Sequence, residues 1–161
     1  MFNSCIPFPA EKINAFGISF TDEFPQTSTS GVPLLLTDSD TNPNFPGIPM
    51  LQNVENTGNG LRILEAGIYY ISYSITASLP FPSSTARFFV ILNNNPLNII
   101  RGSGTAGRSD SLGTGDVQVF ASDTITMLNV GDVVQLVPED PLNPTGTVDV
   151  RSGLLKVFKL A

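Results

Sequence analysis

The sequence contains no histidine and a single cysteine, Cys5. Without histidine, the chain lacks the usual base of Ser–His and Cys–His hydrolases and the commonest ligand of zinc and iron. No convergent set of acids and bases replaces it, so the residue types predict neither an enzyme nor a bound metal or cofactor. A single thiol cannot build an internal disulfide framework. Cys5 is therefore either an inert side chain or a candidate for an intermolecular crosslink.

Charge is also scarce. Charged residues make up 14% of the chain, against roughly 25% in ordinary globular proteins. Either Ser, Thr and Asn supply the polar surface, or other subunits cover part of it. The net charge of −6 would repel nucleic-acid phosphates and anionic lipids, so we expect neither nucleic acid nor a membrane as a partner.

Long apolar runs are missing as well. No run approaches the ~18 apolar residues of a membrane-spanning helix, and the N-terminus has no basic start followed by an apolar stretch. We therefore expect neither a transmembrane span nor a secretory signal. Pro7 and Pro9 exclude a helix near the start. The sequence predicts an extended arm over residues 1–12 and one domain over residues 13–161.

Apolar and polar residues alternate along much of the chain, which indicates β-strands with one buried face. The clearest stretch is 58–78, where two alternating runs are joined by a tight link at Gly67. No segment has the period of a helix, and about ten short strands separated by turn residues predict an all-β, two-sheet sandwich of the jelly-roll type. The predicted strands cover 14–20, 32–36, 50–54, 61–63, 69–76, 87–92, 97–101, 116–128, 133–137, 146–150 and 153–160.

Two motifs match the residue patterns of known ligand sites but lack the structural context that those sites need. Residues 102–107 match G-x-G-x-x-G, but a dinucleotide site needs a helix directly after the loop, and here another loop and a strand are predicted. Asp38, Asp40 and Asn42 resemble the start of a calcium loop, but Pro43 stands where that loop needs glycine. We interpret both segments as ordinary loops.

Two groups of side chains could carry chemistry or bind a sugar. Glu139 and Asp140 are adjacent acids, yet nothing in the sequence brings a third group to them, which favours a solvated turn. Tyr69, Tyr70 and Tyr73 could form a stacking platform for a carbohydrate, but aromatic residues more often belong to cores and interfaces.

The order of the strand motifs resembles that of the complement/tumour-necrosis-factor jelly roll. The blocks that carry this likeness are GIYYISYSI (67–75), ARFFVILNNN (86–95), LNVGDVVQLVPED (128–140) and GLLKVFKLA (153–161). The resemblance implies ten strands in two sheets, with three protomers packed side by side. For the trimer interface we predict apolar residues on the face opposite the sandwich core, namely Tyr70, Phe120 and Phe158.

A closer resemblance, across nearly the whole chain, is to the BxpB/ExsF-like exosporium basal-layer proteins of Bacillus spores. Its most specific blocks are LRILEAGIYYISY (61–73) and NIIRGSGTAGRS (98–109). The resemblance implies a structural protein of the spore surface, made in the mother-cell cytoplasm without a signal peptide. Its implied partners are the N-terminal region of a collagen-like surface glycoprotein and other basal-layer proteins. A carbohydrate-binding, lectin-like jelly-roll module is the alternative.

Overall fold

The fold was analysed in a computed structural model, which describes residues 15–21, 26–37, 50–79, 85–108, 117–139 and 147–161. These residues form strands and connections with no helix among them, and the strands build two antiparallel sheets. The predicted all-β, two-sheet sandwich is confirmed. The strands are β1 Phe16–Thr21, β2 Gln26–Thr29, β3 Leu51–Gln52, β4 Val54–Asn56, β5 Leu61–Ile63, β6 Gly67–Ser78, β7 Thr85–Leu92, β8 Asn95–Ile99, β9 Thr105–Arg108, β10 Val117–Leu128, β11 Val133–Glu139 and β12 Thr147–Lys159.

Each sheet has six strands. In the first sheet the order is β10-β6-β12-β1-β3, and β2 also pairs with β12. In the second the order is β4-β5-β11-β7-β8, and β9 also pairs with β7. Strands from the beginning and the end of the chain are neighbours, because β12 lies between β1 and β6.

The stretch 58–78 crosses from one sheet to the other. β5 belongs to the second sheet and β6 to the first, so the link before Gly67 is a corner between the layers. A Cβ on Gly67 would lie 2.3 Å from the backbone oxygen of Ala161, which explains why the corner needs glycine.

The alternation within β6 determines where the core lies. Every second side chain from Tyr69 to Ala77 is buried, while Tyr70, Ser72 and Ser74 on the other face are half-buried. The buried face packs against inward side chains of the second sheet, including Phe88 and Leu136. Full burial of each large apolar side chain contributes roughly 1.5–3 kcal/mol, so this contact supplies most of the driving force for folding.

The structure differs from the predicted strands in five places. β2 lies in a segment predicted to be a polar loop, and β9 lies within the predicted loop after residue 102. Residues 32–36 are not a strand, although Leu34 donates a backbone hydrogen bond to Leu136. The last two predicted strands are one strand, β12, with an irregularity between Val150 and Ser152. Since β3 and β4 also divide one predicted strand, the described residues form twelve strands instead of ten.

Some predictions fall outside the described residues. These are the arm over residues 1–12 with Cys5, the calcium-like segment at Asp38, and Asp140.

Candidate interaction surface

One face of the first sheet points away from the core, and we call it the outer face. Directly opposed residues of antiparallel strands place their side chains on the same side of a sheet. The registers of β1, β12, β6 and β10 therefore order the outer face into rows that run across four strands.

The first of these rows is aromatic and aliphatic throughout, and we call it the aromatic row. It consists of Phe16, Phe158, Tyr70 and Ile125. The rings of Phe16 and Phe158 are stacked, with centroids 6.5 Å apart. Ile125 is 61% exposed. Four neighbouring large side chains whose only polar group is the Tyr70 hydroxyl are unusual on a surface that faces only water.

The next row carries charge, and we call it the charged row. It consists of Ile18, Lys156, Ser72 and Asp123. A third row beyond it is again apolar or small, with Phe20, Leu154, Ser74 and Ala121.

Further apolar residues extend the outer face along β10. Val119 and Met127 are each 70% exposed, and Val117 is 50% exposed. Because β10 is the edge strand of the sheet in the described residues, these side chains form an apolar rim.

A shallow hollow of about 330 Å³ lies on the same face near the irregularity in β12. It could receive one or two aliphatic side chains. Its lining residues are Phe20, Thr21, Ser74, Ser152, Gly153 and Leu154.

The three predicted interface residues separate into two groups. Tyr70 and Phe158 are neighbours in the aromatic row. Phe120 is 3% exposed and packs on Phe88 with ring centroids 4.7 Å apart. Its placement on the face opposite the core was wrong, because Phe120 has the opposite parity to Val119, which does point outward. The interface role of Tyr70 and Phe158 stays a prediction.

The three tyrosines do not form a platform for a sugar. Tyr69 and Tyr73 belong to the core, with 0% and 4% exposure, while Tyr70 points to the opposite side of β6. Burial raises the pKa of Tyr69 and of Tyr73 to about 12 in each case. Their hydroxyl groups bond to backbone oxygens inside the protein, Tyr69 to Glu65 at 2.6 Å and Tyr73 to Ser103 at 2.8 Å. The two core tyrosines are therefore structural.

The glycine motif at 102–107 is a turn followed by a strand. Gly102 has a φ of 81°, and β9 begins at Thr105 where a dinucleotide site would need a helix. Residues 105–108 are therefore a strand where a loop was predicted, and no helix follows Gly102 within the described residues 103–108. Glu139 forms an exposed ion pair with Arg87 at 3.7 Å. Among the described residues, no three His, Cys, Asp or Glu side chains are grouped so that they could hold a metal.

A partly buried ion pair closes one end of the sandwich. Lys159 at the end of β12 binds the carboxylate of Glu65, which also accepts a hydrogen bond of 3.1 Å from the side chain of Asn53. The hydrogen bond from Lys159 is the main cause that holds the pKa of Glu65 below its usual value. The pair connects the corner before β6 to the last strand.

The fold is similar to that of two solved structures of low sequence identity. Eiger TNF from S. frugiperda matches with a TM-score of 0.63 at 14% identity, over 91% of this chain and 94% of that one. The globular domain of the zebrafish complement 1qA protein matches with a TM-score of 0.51 at 11% identity, over 91% of this chain and 98% of that one. At these identities the likeness establishes the TNF/C1q-like jelly-roll fold. No protein-family model and no curated protein sequence matches the chain.

The described part of the chain contains no helix that is long and apolar enough to span a membrane.

Proposed function

We propose that this chain is a non-enzymatic assembly protein that forms a homotrimer through the outer face of its first sheet. The observation that carries the proposal is the aromatic row with its exposed continuation along β10. Tyr70 and Phe158 occupy the middle of this surface. A second and third copy of the chain would remove it from water.

The size of the surface fits such an interface. The four strands β1, β12, β6 and β10 contain 6, 13, 12 and 12 residues, which cover roughly 700 Å² at about 3.3 Å per residue and about 4.8 Å between strands. This flat area is of the same order as the ~800 Å² that each partner buries in a stable interface. Low charge and aromatic side chains are typical of the centre of such interfaces.

The finer role we propose is that of a structural protein in the exosporium basal layer of a spore. The support for this role is the sequence resemblance over blocks 61–73 and 98–109. In that role the trimer would anchor the N-terminal region of a collagen-like surface glycoprotein and contact other basal-layer proteins. It would be made in the mother-cell cytoplasm and would need neither nucleic acid nor a membrane as a partner.

The trimer is tested by measuring the molar mass at micromolar concentration with light scattering and sedimentation. We expect three times the chain mass for the wild type and the monomer mass for Ile125→Asp, because a buried carboxylate in the aromatic row would be unpaired. The matched control is Leu97→Asp, since Leu97 is 92% exposed on β8 of the other sheet. A monomeric wild type, or an Ile125→Asp variant that remains trimeric, contradicts the proposal.

The anchoring role is tested separately by a pull-down. The bait is a synthetic peptide with the N-terminal sequence of a collagen-like spore glycoprotein, and a scrambled peptide is the control. We expect specific capture of the trimer, followed by mass spectrometry under denaturing conditions to detect a covalent product. Equal capture by both peptides would reject this role without affecting the trimer.

A further inference from the structure

Charge is confined to two side chains in the three central rows of the outer face. In the described residues these are Lys156 on β12 and Asp123 on β10, with opposite signs. Both belong to the charged row and are separated by Ser72 on the strand between them. Apolar rows border the charged row on both sides.

Neither side chain has an ion-pair partner among the residues that the structure describes. Asp123 is exposed and Lys156 is half-buried, so water solvates both charges in a single protomer. Covering the outer face with a second copy removes that water. Desolvation of an unpaired charge costs several kcal/mol, which would oppose assembly unless each charge met an opposite one.

We propose that Lys156 of one protomer pairs with Asp123 of the next protomer, and that this pair fixes the register of the interface. The inference rests on the proposed trimer. Each copy contributes one cation and one anion, so a closed ring contains three equivalent pairs and no charge is left over. Asp123 lies on β10, the edge strand of the first sheet in the described residues.

The pair contributes specificity to a surface that is otherwise apolar. Apolar rows can slide past one another with little loss of buried area. A charge displaced by one row would instead face an uncharged side chain, either Ile125 or Ala121 on β10 or Phe158 or Leu154 on β12. Like charges brought together across an interface are disfavoured. The charged row therefore selects one alignment of the protomers, as a polar residue does in the seam of a coiled coil.

Charge reversal tests the pairing. Asp123→Lys and Lys156→Asp are each expected to raise the midpoint concentration of trimer dissociation by at least about tenfold, because each places like charges at three contacts. The combined variant Asp123→Lys/Lys156→Asp should restore the wild-type midpoint. Arg62→Asp, on the second sheet, is the matched control and should leave the midpoint unchanged. Circular dichroism verifies that each variant is folded. If a reversal impairs folding, the milder Lys156→Gln replaces it, and its midpoint should lie between those of the wild type and a folded reversal.

Subunit mixing then separates pairing between protomers from pairing within one. We expect the combined variant and the wild type, when coexpressed with different tags, to assemble into separate trimers by native mass spectrometry. A mixed ring would contain two contacts between like charges.

The outcomes distinguish the two proposals. A monomeric wild type overturns the trimer and this inference together. If the wild type is trimeric, any of three results overturns the pairing and leaves the trimer intact. These are single reversals that do not change the midpoint, a combined variant that does not restore it, and free mixing of the two kinds of subunit.

Discussion

Removal of the Tyr73 hydroxyl should destabilise the protein far more than removal of the Tyr70 hydroxyl. Tyr73 extends from β6 into the core and reaches the other sheet. Its hydroxyl oxygen lies 2.9 Å from the backbone oxygen of Phe88, 2.8 Å from that of Ser103 and 2.8 Å from the hydroxyl of Thr105. Its one proton is donated to one of the two carbonyls, and its oxygen is free to accept a hydrogen bond from the Thr105 hydroxyl.

The expected loss in the free energy of unfolding follows from the buried polar groups that Tyr73→Phe leaves without a hydrogen-bond partner. The ring stays in place and no large cavity forms, but at least one buried carbonyl loses its donor. Leaving such a group unsatisfied costs about 1–3 kcal/mol. For a domain of this size that corresponds to a fall in Tm of roughly 2–12 °C. Tyr70→Phe removes a hydroxyl with no hydrogen bond among the described residues, and we expect a change within about 0.5 kcal/mol.

The assay is urea denaturation of both variants and the wild type at one protein concentration, because self-association would couple the apparent stability to concentration. Equal free energies of unfolding for Tyr73→Phe and Tyr70→Phe would refute the reasoning, since the buried hydroxyl of Tyr73 would then stabilise the protein no more than the hydroxyl of Tyr70.

The same tyrosine predicts how stability depends on pH. Burial raises the pKa of Tyr73 from 10.0 to about 12. Between pH 10 and 12 the unfolded chain releases a proton that the native state retains, so the free energy of unfolding falls as the pH rises. Two pH units correspond to on the order of 2–3 kcal/mol. The stability of Tyr73→Phe should therefore fall less steeply over this range, and parallel curves would contradict this.

Two other sites give predictions with matched controls. Gly107→Ala should lose about 1–3 kcal/mol of stability in urea denaturation, because its Cβ would lie 2.7 Å from a ring carbon of the buried Phe120 and overpacking of this kind is costly. Gly104→Ala, where no atom lies within 4 Å of the new Cβ, should be close to neutral, and equal losses would refute the argument. Lys159→Met should destabilise the protein more than Arg62→Met, since Lys159 is 15% exposed in its ion pair and Arg62 is 45% exposed in its own. Because the pKa of Glu65 is lowered in the native state, the contribution of the pair is lost as the pH falls through that pKa, and Lys159→Met should flatten the acid side of the stability profile.

The sandwich could be predicted from the sequence because the alternation of β6 and β12 is strong. The strands that were missed lack this signal. β2 reads QTST, which contains no apolar residue, and β9 reads TAGR. Both are held by backbone pairing with a longer neighbour, and pairing of this kind leaves no trace in local composition.

The outer face was harder to predict. β10 has apolar residues of both parities, so the sequence does not reveal that Val119 faces outward and Phe120 inward. The charged row could not be predicted at all. It depends on the registers of three strands far apart in sequence, which bring Asp123, Ser72 and Lys156 into line.

The position of β12 between β6 and β1 also determines when the outer face can form. Until β12 has been synthesised, β1 has no partner on that side, and the rows of the outer face do not exist. Contacts between such distant segments form late and slowly. A growing chain on the ribosome therefore cannot yet recognise another copy through this surface. In the proposed trimer, association of the protomers would therefore follow the folding of each protomer.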